Sequence, residues 1–131
     1  MESYVKQIGI EAKCAVRMLK TLYIPAIICY TGKLADTINS LKGTGASSAV
    51  QKDLLITITG HLESAKDKLD KLEATLEKCG KIEHAPEKAR AYRDKVKVAM
   101  DATRPDIDAV EVLVCAQAWP VPTYADMLFK L

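Results

Sequence analysis

The chain has 131 residues, a formal net charge of +2, 49% hydrophobic and 27% charged residues, which suits one domain rather than two, since domains cluster at ~100–150 residues. That composition excludes a disordered or fibrous protein, and a balance so near neutrality carries no electrostatic footprint for nucleic acid. Aromatics make up only 5%, so the core is expected to come from helices packed through aliphatic stripes.

In the first segment Tyr4, Ile8, Ala12, Ala15, Leu19, Leu22, Ala26 and Cys29 recur at steps of three and four, followed by Leu34, Ile38 and Leu41. This is the period of a helix with one apolar face, and Pro25 predicts a bend in it. Around that proline, Leu22–Tyr30 is apolar on every face, more than a three-helix bundle can bury. Leu22, Tyr23, Ile24, Ile27, Ile28 and Tyr30 are therefore candidates for an interaction surface. Met1–Ile10 carries Glu2 and Lys6 and does not read as a secretory signal. The uncharged stretch Thr21–Gly32 is about 12 residues long, against ~20 needed to cross a bilayer, so no membrane span is expected.

Lys42-Gly43-Thr44-Gly45 punctuates the chain, and the second segment then gives Ile58, Leu62, Ala65, Leu69, Leu72, Leu76 and Cys79 with Glu, Lys and Asp on the remaining faces. This predicts a heptad-like helix of ~48 Å at 1.5 Å per residue, opened by a Ser48-x-x-Gln51 capping box and closed by Gly80 in a left-handed conformation. In the third segment Pro86 stands at a first-turn position, and Ala89, Tyr92, Val96, Ala99, Thr103, Ile107, Val110 and Val114 form another stripe. Pro105 falls inside that stripe, so a kink is expected near Thr103–Pro105.

The prediction is an all-α fold, an antiparallel bundle of three long helices over residues 1–118, the first bent near Pro25 and the third near Pro105. Residues 119–131 form a Trp-Pro-x-Pro tail with a short docking helix, in which Trp119, Tyr124, Leu128 and Phe129 are expected to pack on apolar surface.

Few residues suggest chemistry. Neither His61 nor His84 has a glutamate three positions earlier or a metal-ligand spacing, and no phosphate-binding glycine loop or nucleophile elbow is present. No catalytic, cofactor-binding or metal residue is assigned. Cys14, Cys29, Cys79 and Cys115 stand far apart with no C-x-x-C pair. They read as reduced, mostly buried thiols of a cytoplasmic protein. Lys88, Arg90, Arg93, Lys95 and Lys97 cluster early in the third helix, with Asp101, Asp106, Asp108 and Glu111 after them. Pairing of the basic half with acids of the middle helix is the expected role, and an anionic-substrate site the alternative.

Glu2-Ser-Tyr-Val-Lys-Gln-Ile-Gly-Ile-Glu-Ala, Ile24-Pro-Ala, Lys88-Ala-Arg-Ala-Tyr-Arg-Asp-Lys-Val, Ala99-Met and above all Trp119-Pro-Val-Pro-Thr-Tyr-Ala-Asp-Met-Leu-Phe129 resemble the C-terminal helical region of type III glutamine synthetases. The resemblance spans the chain, and the Trp-Pro-x-Pro ending is its most specific piece. The chain departs from the family pattern at Val98, where a proline before Ala-Met is usual, and at Pro105, an addition. The resemblance implies a non-catalytic domain that packs on an upstream synthetase core or on neighbouring subunits of a homo-oligomer. ATP and a divalent metal (Mg) are implied for the parent enzyme only, which ligates ammonia to glutamate. The isolated chain is expected neither to make glutamine nor to bind ATP. A stand-alone helical self-association module is the alternative.

Overall fold

A computed structural model of the chain describes residues 2–114. The Trp-Pro-x-Pro tail and Cys115 lie outside the described residues. Among those described, every regular element is helical and none is a strand. Helix α1 (Glu2–Met18) runs through a π-helical turn (Leu19–Tyr23) into α2 (Ile24–Leu41), making one rod. Helix α3 (Ala49–Gly80) is the second rod. The third is α4 (Ala85–Ala91), a second π turn (Tyr92–Val96), α5 (Lys97–Ala102) and α6 (Arg104–Glu111).

The irregularities have local causes. Pro25 has no amide hydrogen, and its ring would crowd the carbonyl of Thr21. One residue upstream, the Ile24 N–H donates to the Leu19 carbonyl, five residues back, instead of the usual four. The extra residue widens the helix, and the rod passes the proline without ending. Pro105 has the other outcome. There α5 stops at Thr103, whose N–H and hydroxyl both donate to the Met100 carbonyl at 3.1 and 2.7 Å, and α6 begins at Arg104 with the proline in its first turn. Between the first two rods Gly43 and Gly45 take φ of +86° and +79°, a region that costs a side-chain-bearing residue roughly 1–2 kcal/mol.

Both expected caps of α3 differ. Ser48 makes no side-chain cap bond; the Ala49 N–H instead donates to Ser47 Oγ at 3.3 Å. Gly80 is not left-handed but is the last helical residue, followed by Lys81 in right-handed geometry. A Gly at a helix end offers left-handed φ without demanding it, and here the chain turns back through a tighter last turn, with Ile82 N–H on the Cys79 carbonyl at 3.2 Å.

Two apolar clusters hold the rods together. In one, Ile8 and Ala12 of α1 meet Leu72 and Cys79 of α3 and Tyr92 and Val96 of the second π turn. In the other, Leu19, Ile27 and Leu34 of the first rod meet Ile58, Ala65 and Leu69 of α3 and Ile107, Val110 and Val114 of the third. Tyr92 lies against Gly9 and Gly80: a Cβ added at either would meet its ring edge or its hydroxyl at 3.6 and 3.8 Å, ordinary van der Waals contact. Burial, with the buried Cys79 thiol beside it, pushes that phenol up. By length and composition alone the helix Ser3–Leu41 could cross a membrane, although its uncharged run is short. In this fold it supplies Ile8, Ala12, Leu19, Ile27, Leu34 and Ile38 to the core. Among the described residues Cys14, Cys29 and Cys79 are free, but Cys14 and Cys29 are exposed and Cys79 alone is buried, so the expectation of mostly buried thiols fails for the first two.

Candidate functional site

The π turn at Leu19–Tyr23 decides which side chains of the first rod face outward. Before it, the buried stripe is Ile8, Ala12 and Leu19, as the spacing predicts. After it, the inserted residue moves the stripe by one position: Tyr23, Ile27 and Tyr30 face the core, while Leu22 and Cys29 face out and Ala26 is only half-buried. Leu22 stays 38% exposed and Ile28 53% exposed, and Pro25 and Cys29 are exposed between and beside them. Leu22, Pro25 and Cys29 follow helical steps of three and four, so they make one continuous apolar strip. Of the six candidates in this region, Leu22 and Ile28 are exposed, Tyr23, Ile24 and Tyr30 are half-buried against the core, and Ile27 is fully buried within it. Trp119, Tyr124, Leu128 and Phe129 lie outside the described residues.

Beside the same turn, a groove of about 300 Å³ separates the first rod from the third. Met18, Leu19, Met100 and Ile107 give it an apolar floor, with Tyr23, Arg104, Asp108 and Glu111 at its rim. Thr103, the single residue between α5 and α6, lines it as well. Burial pushes the Tyr23 phenol up, and the carboxylates of Glu111 and Asp108 push it further, against the opposing pull of Arg104.

The opposite face of α6 carries a polar cluster that the sequence reading passed over. Asp106, 7% exposed, accepts from His61 Nδ1 at 3.0 Å on one oxygen, and from Ser64 Oγ and Lys68 Nζ, both at 2.8 Å, on the other. Burial by itself would raise this carboxyl. The bonds from His61, Lys68 and Ser64 and the Lys68 charge outweigh that and hold it below the ordinary carboxylate range. The signal in the sequence was an Asp beside the buried Thr103 and Ile107, facing a helix with His61, Ser64 and Lys68 on one side at steps of three and four. Three side chains of α3 converge on this one carboxylate, so the cluster ties α6 to α3 in a fixed register.

Among the described residues the basic run shows no ion pair with acids of the middle helix, contrary to expectation. Arg93 bonds Asp94 at 2.9 Å, Lys97 approaches Asp101 at 3.8 Å, and Lys88 donates to the Gly80 carbonyl at 3.3 Å. Of these, only Lys88 reaches α3, at a backbone carbonyl; the side-chain pairing between the third rod and α3 is made by the acidic half, through Asp106. Arg90, Arg93, Lys95 and Lys97 are exposed, and none of them lines the groove beside Tyr23. His61 is half-buried on Asp106 and His84 is exposed in the loop before Pro86. Among the described residues no group of three or more His, Cys, Asp or Glu is arranged to hold a metal ion.

The family model for the glutamine synthetase C-terminal domain matches residues 1–42, the whole first rod and its following residue. The chain is 23% identical, over 98% of its length, to a glutamine synthetase of Bacteroides fragilis. It is 27% identical over its full length to a glutamine synthetase of Butyrivibrio fibrisolvens, and 25% identical over 98% of its length to a type-3 glutamine synthetase of Dictyostelium discoideum. It spans only 18–19% of the length of these relatives.

Proposed function

We propose that the chain, similar along its length to the C-terminal part of glutamine synthetases, is a non-catalytic packing domain of a type III-like synthetase, docking on the upstream core or on neighbouring subunits during oligomer assembly. Its three rods act as an antiparallel bundle, a stiff spacer that carries contact surfaces, with the C-terminal tail as a docking element. The ATP- and metal-dependent ligation of ammonia to glutamate, in the cytoplasm, belongs to the parent enzyme, and no residue of this chain is given a part in it.

One observation carries this reading. The exposed apolar strip of Leu22, Pro25 and Cys29, with Ile28 beside it, lies within the segment that the family model matches. A π turn that directs large aliphatic side chains to the surface costs burial in the isolated chain, and the cost is recovered where another surface covers them. The test uses the protein carrying the upstream core. Leu22→Asp with Ile28→Asp is expected to shift it to smaller species in sedimentation, while the thermal melt of the 131-residue chain changes little. Assembly unchanged by the double variant would overturn the reading. If the 131-residue chain alone forms oligomers that the same substitutions dissolve, the stand-alone self-association module takes its place.

A further inference from the structure

The groove between the first and third rods has a built apolar floor and nothing in the described fold fills it. We propose that it is the seat of the chain's own C-terminal segment, with the Trp119 indole entering between the π turn and α6. Three observations on different levels converge on this occupant.

The first is position. The groove's far wall ends at Glu111, and the described chain ends at Val114, which is buried in the same cluster as Leu19 and Ile107. From Val114 to Trp119 the chain reaches at most roughly 17 Å at ~3.3–3.6 Å per residue. The groove wall from Asp101 to Glu111 is about 15 Å long at 1.5 Å rise. Five residues of chain are therefore long enough for the indole to reach the groove floor.

The second is size and chemistry. An apolar cavity of ~150 Å³ holds a benzene ring, so about 300 Å³ accommodates a bicyclic indole with its first flanking atoms. Met18 and Met100 are unbranched thioethers that adapt to an aromatic ring and make favourable sulfur–ring contacts. The rim offers the Asp108 and Glu111 carboxylates, which only accept hydrogen bonds. An indole N–H only donates.

The third is the segment itself. Residues 115–131 contain the chain's one Trp and one Phe, and Pro120 and Pro122 restrict the conformations open to the chain directly after Trp119. A segment already stiffened loses less entropy on docking.

Because Trp119 is the sole tryptophan, intrinsic fluorescence of the 131-residue chain reports its surroundings directly. The expected result is blue-shifted emission and acrylamide quenching several-fold weaker than that of free tryptophan, independent of protein concentration. Ala15→Leu, which fills the groove from its half-buried edge, should move the emission to the red and raise the quenching constant several-fold with far-UV dichroism unchanged. Met18→Glu, at another half-buried lining position, gives the same reading should Ala15→Leu disturb packing. Three results would overturn the proposal: solvent-like emission in the unaltered chain, protection that disappears on dilution, which would assign the groove to a second copy, or protection that both folded variants leave intact, which would seat the indole elsewhere.

Discussion

Asp106→Ala removes, in one substitution, the acceptor used by His61, Ser64 and Lys68. A hydrogen bond to a charged group contributes about 1.5–3 kcal/mol, but the three do not simply add. The Lys68 and His61 side chains are 32% and 33% exposed, so both regain water when the carboxylate is gone, and the cost of desolvating Asp106 disappears with it. We expect a net loss of about 2–4 kcal/mol at neutral pH, reaching into but not above the ~3–5 kcal/mol seen when a fully buried pair is broken. At ~4 °C per kcal/mol for a chain of this size, the Tm falls by about 8–16 °C. The pH dependence is the sharper test. The folded carboxyl titrates below its ordinary value of 3.8. Its contribution is therefore fully present above the unfolded-state value and is lost as pH falls through the lower folded-state one. Urea unfolding of the unaltered chain, Asp106→Ala and Asp106→Asn from neutral to strongly acidic pH should show the gap closing on the acid side. A gap under about 0.5 kcal/mol at neutral pH, the scale of a surface change, or a gap independent of pH, would refute the argument.

Leu69→Ala and Leu72→Ala, at side chains 1% and 0% exposed, are expected to cost about 2–5 kcal/mol each in urea melts, from transfer energy plus the cavity left behind. Ile27→Ala should fall in the same range while Leu22→Ala stays within about 0.5–1 kcal/mol of the unaltered chain; equal costs would mean that the stripe does not shift at the π turn. Gly60 sits inside α3 with nothing within 4 Å of an added Cβ, so Gly60→Ala should stabilise by about 0.5–1 kcal/mol. Gly43→Ala, at φ +86°, should destabilise by roughly 1–2 kcal/mol, which differential scanning calorimetry on the two variants would resolve by opposite shifts in Tm.

The three-step and four-step stripes were legible because helical period is a local property: Ile58 to Cys79 and Ala89 to Val114 needed no knowledge of partners, and every position of the second stripe is buried or half-buried in the fold. The glycine loop at Gly43 and Gly45, the helix start at Pro86 and the interruption at Pro105 follow from backbone sterics, which act within a few residues. The resemblance to glutamine synthetase C-terminal regions rested on short motifs, and sequence comparison extends it along the chain. The shift at Leu19–Tyr23 left one trace, the step of five between Cys29 and Leu34. A single extra residue preserves composition and hydropathy while rotating every later side chain, so the predicted stripe runs through Leu22, Ala26 and Cys29 where Tyr23, Ile27 and Tyr30 face the core. Tertiary structure alone decided which carboxylate would be buried, since Asp106, Asp108 and Asp101 look alike until α3 presents its donors to one of them. It also decided the exposure of Cys14 and Cys29, the helical geometry of Gly80 and the groove beside Tyr23. Each depends on where a neighbouring rod lies, and contacts between rods join residues tens of positions apart, beyond the range over which backbone sterics and helical period carry information.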